Sequence, residues 1–171
     1  MTPELSRPIP LSAVPLGGRR ETVVADAAER QAVAKRLDLL GLDRLEAELY
    51  LRPTTQDTVR VTGRLRASVV QACVVTLEPV PQEIEEAVDW IVAPPPDPES
   101  EEEELPDDAL EGPEPVDAPN GVLDLGEAVT QQLSLALDPY PRCPGVALDP
   151  DGVGDPERNP FEGLAKLRRD G

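Results

Sequence analysis

Three sets of side chains in this sequence could do chemistry: two cysteines, a row of arginines and a dense run of carboxylates. Cys73 and Cys143 lie 70 residues apart, and neither belongs to a CxxC pair. A four-ligand zinc site therefore cannot be built within one chain. The chain has no histidine, which removes the usual general base, proton shuttle and commonest metal ligand together. A nucleophilic cysteine would need an improvised base, and phosphate-loop and dinucleotide fingerprints are absent. The sequence reads as that of a protein that is not an enzyme, with no catalytic residue, metal or cofactor. Cys73 falls on the apolar side of a strand pattern and reads as a small buried residue. Cys143, in Pro141-Arg142-Cys143-Pro144-Gly145, reads as a more exposed loop residue.

The arginines are Arg60, Arg64 and Arg66, on the even positions of an alternating stretch. Guanidinium groups bind phosphate oxygens bidentately, so this row, with Arg168 and Arg169 near the C-terminus, would suit RNA. The competing reading is a solvated strand face paired across to Glu46, Glu48, Glu83 or Glu85, as opposite charges pair in antiparallel sheets. It is the favoured one, because RNA-binding sheets usually display aromatics for stacking and this face offers only Tyr50. The carboxylates are concentrated: residues 97–117 hold eleven acids and no base, more than half of the net charge of −18. Glu101, Glu102, Glu103, Glu104, Asp107 and Asp108 are its densest part. Such a segment suits a basic partner or serves as a solubilising spacer.

These groups need elements to position them. Residues 1–18 hold four prolines and two glycines, which predicts an extended arm with one edge strand at most. Arg20 to Ala25 is a short strand candidate. Asp26 and Glu29 form a capping box, and the helical pattern from Ala27 is expected to stop at Gly41. The period then changes to two. Leu45, Ala47, Leu49 and Leu51 mark one strand, and the odd positions from Val59 through Cys73, Val75 and Leu77 mark a second. Glu78 to Pro81 is expected to break the run. Ile84, Val88, Trp90 and Val92 then alternate with Glu83, Glu85, Ala87 and Asp89 in a third strand. Three strands with short connections predict an antiparallel meander, one face covered by the preceding helix.

Eight prolines and the acids over 94–119 predict a segment that cannot repay its ordering entropy. Structure resumes at Gly121, with a helix capped by Asp124 and stopped by Pro139. The organisation expected is an α+β core begun by 1–93, a disordered acidic segment over 94–120, and 121–171 packing back on the core. In the last part Asn159 and Pro160 start a short helix, whose Phe161 and Leu164 stripe beside Lys166 could dock on a partner or on its own domain. Met1-Thr2-Pro3-Glu4 lacks the regions of a signal peptide. No apolar run approaches the roughly 18–20 residues of a membrane span. Both point to a soluble cytoplasmic protein with reduced thiols.

Three segments in order carry a resemblance: the strand Val59 to Cys73, the stretch Gly121-Val122-Leu123-Asp124-Leu125-Gly126-Glu127-Ala128-Val129, and the tail Asn159-Pro160-Phe161-Glu162-Gly163-Leu164-Ala165-Lys166-Leu167-Arg168-Arg169. Together the chain resembles the bacterial YceD-like family, the large ribosomal RNA subunit accumulation proteins. The resemblance implies a non-enzymatic role in synthesis, processing or stability of large-subunit (23S) ribosomal RNA. It implies as partner a basic large-subunit ribosomal protein or a precursor particle. Relatives often carry a second cysteine beside each of the positions matching Cys73 and Cys143, in a pattern that looks metal-binding. This chain lacks those second cysteines, so the resemblance brings no metal with it.

Overall fold

The computed structural model describes residues 3–54, 57–95 and 112–146. In chain order they form β1 (Pro8–Pro10), β2 (Arg19–Val24), α1 (Ala27–Arg36), β3 (Gly41–Pro53), β4 (Val59–Ala72), β5 (Pro79–Ala93), β6 (Glu114–Asp117), β7 (Val122–Asp124) and α2 (Leu125–Ala136). β2 to β6 make one sheet in sequence order, antiparallel except for the parallel pair β5–β6, and β1 pairs antiparallel with β7 apart from it. This is an α+β fold with a mixed sheet.

Alternation gives the long strands two unlike faces. Leu45, Leu49, Leu51, Val61, Leu65, Val69, Val88, Trp90 and Val92 are buried, and α1, α2 and the β1–β7 arm close over them in one core. Trp90 is fully enclosed, and its indole Nε1–H donates to Gln132 Oε1 of α2 at 2.9 Å. The buried indole thus meets the partner its polar edge needs. The lid is both helices and the arm, where the sequence pointed to the first helix.

The capping box on α1 forms as read: Glu29 N–H donates to Asp26 at 2.9 Å and Asp26 N–H to Glu29 at 2.8 Å. The helix ends five residues before Gly41, however. Leu39 N–H reaches back to the Ala34 carbonyl at 2.8 Å while Asp38 takes a left-handed φ of 54°. That is a Schellman stop, with aspartate in the seat usually given to glycine, a place its short polar side chain tolerates. Gly41 instead opens β3.

Two further expectations are corrected. β4 stops at Ala72, and Cys73 to Glu78 form a tight turn, so Val75 and Leu77 do not continue the strand and Leu77 is 77% exposed. β5 already begins at Pro79, opposite Ala72; proline serves here because it stands at the strand's first residue and on the edge left open before Trp90. The span 94–120, expected to lack structure throughout, also contains a strand. Glu114–Asp117 pair with Trp90–Ala93, and the next residue, Ala118, is wholly buried with its N–H on the Ala93 carbonyl at 2.9 Å. Two prolines flanking Glu114 hid this strand, which needs few ladder donors at the sheet edge.

Candidate functional site

The arginine row sits where alternation puts it, on the uncovered face of β4 between two acidic strands. Arg60 makes two contacts to Asp89, both 2.8 Å, while Arg64 and Arg66 share Glu85 at 2.7 and 3.3 Å. Ser68 donates to Glu83 at 2.8 Å, and Arg44 pairs with Glu46 along β3. Arg60 in return holds the Asp89 carboxyl below its ordinary range. The bonded acids are thus chiefly those of β5, one diagonal step along the ladder for Arg60 and Arg64 and directly opposite for Arg66 and Ser68. Arg52 stands directly opposite Arg60, and the two line a groove of about 480 Å³ with Tyr50, Pro53, Thr54 and Thr62. Like charges facing across a ladder repel.

The partner-binding candidates Glu101, Glu102, Glu103, Glu104, Asp107, Asp108, Asn159, Pro160, Phe161, Leu164 and Lys166 lie outside the described residues, as do Arg168 and Arg169 of the RNA-binding reading.

The sequence missed two polar knots, one before α2 and one after it. Before it, Asp124 accepts from Ser6 Oγ at 2.6 Å, Arg7 N–H at 2.7 Å, Gly126 N–H at 3.0 Å and Glu127 N–H at 3.3 Å. Its cap role was legible; its hold on the N-terminal arm was not. Gly126 is required here, because a Cβ on it would lie 2.5 Å from the Leu5 carbonyl oxygen. Around the same end, Arg36 of α1 reaches both oxygens of Glu127 at 2.7 Å and Glu4 at 3.0 Å. The Glu127 carboxyl is lowered by that guanidinium first, against the desolvation of its site.

After α2 the chain folds back along the β4–β5 turn. Val74 N–H donates to the Pro141 carbonyl at 2.9 Å, and Gln71 Nε2 to the Asp138 carbonyl at 3.0 Å. This brings the two cysteines together: Cys143 N–H points at Cys73 Sγ at 3.4 Å, and Thr76 Oγ1 lies 3.7 Å from Cys143 Sγ. Cys73 is buried and Cys143 half-buried, both as free thiols. The Thr76 hydroxyl, then the N–H groups of Cys143, Thr76 and Val75, pull the Cys73 thiol down to about 6. For Cys143 the Thr76 hydroxyl works downward, but desolvation, the Cys73 sulfur and Glu78 outweigh it and push the thiol up. Around this knot stand exposed Val74, Val75, Leu77 and Tyr140, with Leu77 at a left-handed φ of 62°. Among the described residues no three cysteines or carboxylates are grouped to hold a metal ion, and no helix is long and apolar enough to cross a membrane.

The sequence profile of the family described as "Large ribosomal RNA subunit accumulation protein YceD" matches residues 61–168. The chain belongs to this family. The match takes in most of β4, both cysteines, β5 to β7, α2 and nearly all of the tail. No curated protein and no solved structure matches the chain. Family membership ties the chain to accumulation of the large ribosomal RNA subunit, a role in ribosome biogenesis.

Proposed function

We propose that the chain supports the large ribosomal RNA subunit without catalysing a reaction, by binding a basic ribosomal protein or an assembling particle in the cytoplasm. The observation that carries this reading is the pairing of Arg60, Arg64 and Arg66 with Asp89 and Glu85. These three cations are matched by acids of the same sheet face, while 97–111 contains only acidic charge. Surplus negative charge attracts polycations and raises their rate of encounter. Free ribosomal proteins are polycations, and a polyanion screens them until RNA competes it off.

The test is capture of the tagged protein from its own cells, with and without ribonuclease, reading protein and RNA together. A basic large-subunit protein retained after nuclease supports the reading; recovery of no ribosomal component overturns it. Replacing Glu101 to Glu104 by Gln and Asp107 and Asp108 by Asn should weaken the retained complex at least tenfold at low salt. Those six changes leave the chain length, and with it the β5–β6 connection, intact.

A second reading is direct RNA binding through Arg60, Arg64 and Arg66 with Arg168 and Arg169. Its support is the Arg52–Arg60 pair, whose repulsion an anion would relieve. It predicts affinity that falls steeply with salt. Arg52→Ala with Arg60→Ala should then reduce the salt slope by about 2. An RNA signal that does not vary with salt, or none at all, excludes it.

A further inference from the structure

The proposed function makes no use of the two thiols, yet the fold brings them together from positions 70 residues apart. The Cys143 amide lies 3.4 Å from Cys73 Sγ, which places the Cys143 side chain against the same sulfur. Thr76 stands beside them, its hydroxyl 3.7 Å from Cys143 Sγ. The loop that carries Cys143 is already held to the turn by Val74 and Gln71, which keeps the two cysteines side by side. We propose that Cys73 and Cys143 form an oxidisable pair, which closes to an intramolecular disulfide by exchange with a small-molecule disulfide such as oxidised glutathione.

The unequal exposure of the two sulfurs sets the order of events. Cys143, the more exposed, loses its proton to solvent and attacks one sulfur of the glutathione disulfide. That S–S bond breaks, one glutathione leaves as thiolate, and the second remains on Cys143. Cys73 then attacks Cys143 Sγ, the mixed disulfide breaks, and the second glutathione leaves. Two protein thiols are oxidised by two electrons, and one glutathione disulfide is reduced to two thiols, which carry off the two protons. The buried Cys73 is shielded from direct capture, and the downward pull on its thiol favours the thiolate, the form that resolves a mixed disulfide. An accessible cysteine beside a resolving partner is the arrangement of redox-sensitive sites. The product would fasten the β4–β5 turn to the segment that follows α2.

The test uses the full reduced chain, incubated with oxidised glutathione, quenched with acid and weighed by mass spectrometry. The expected product is lighter than the reduced chain by two hydrogens, and its non-reducing digest links the Cys73 and Cys143 peptides within one chain. Cys73→Ser should stop at one glutathione on Cys143, and Cys143→Ser should react at least tenfold more slowly than wild type. A wild-type chain that keeps its glutathione on Cys143, links two copies, or fails to react would overturn the proposal. These readouts come from the unaltered protein and stand whether or not the variants fold.

Discussion

The two ends of α2 solve one problem with different atoms. At the start, four donors from Ser6, Arg7, Gly126 and Glu127 converge on the Asp124 carboxylate. After the helix, Cys143 N–H meets the Cys73 sulfur at 3.4 Å, beside Thr76, whose hydroxyl lies 3.7 Å from Cys143 Sγ. Each knot fastens a segment without regular structure to the sheet-and-helix core. The carboxylate takes short bonds and fixes the arm outright. The sulfur takes longer ones, and its hold depends on its protonation. Where a segment only has to stay, oxygen serves; where its attachment can change, the chain uses sulfur.

Breaking the first knot should cost most. Asp124→Ala removes a cap, roughly 1–2 kcal/mol, and strands the Arg7 N–H, roughly 1–3 kcal/mol more. Urea unfolding should show a loss of about 2–5 kcal/mol. Gly126→Ala drives a methyl into the Leu5 backbone and should cost about 1–3 kcal/mol, read in the same way.

The second knot is distinguished by pH. The folded Cys73 thiol titrates near 6, below the ordinary value of about 8.5. A group depressed on folding contributes stability above its unfolded pKa and loses it as pH falls through the folded one. Between about pH 6 and 8.5 the wild type should therefore gain stability relative to Cys73→Ser as pH rises. The difference should level off on both sides. Equal slopes for the two proteins would mean the sulfur is not held as thiolate. The smallest effect is at the turn: Leu77→Gly relieves a left-handed backbone without losing a buried side chain, and should stabilise by up to about 1 kcal/mol.

Both knots show where sequence reasoning stops. Asp124 with Glu127 is a local signal, as are the alternating strands, because cap and period are fixed by neighbours a few residues apart. The reach of Asp124 to Ser6 spans 118 positions, and the meeting of Cys73 with Cys143 spans 70. Neither distance is written in any local pattern; both follow from how the strands and α2 return. The end of α1 was misplaced for another reason. Glycine is the usual left-handed stop, so Gly41 drew the boundary, while Asp38 took the conformation at modest strain. β6 was hidden by composition, since prolines and acids around Glu114 look like spacer unless the open edge of β5 is known to be waiting. The arginine row was legible in position and in its most economical use, pairing with the acids of the strand beside it.

The parallel β5–β6 pair has one more consequence. Because Ala118 closes onto Ala93, the two ends of the acidic stretch are held together by the sheet, and the closure entropy of a flexible connection grows only as the logarithm of its length. Doubling it would cost about 0.6 kcal/mol. Carboxylates can therefore be gained or lost there in descent almost without regard to folding, so their number is free to follow the charge of whatever they meet.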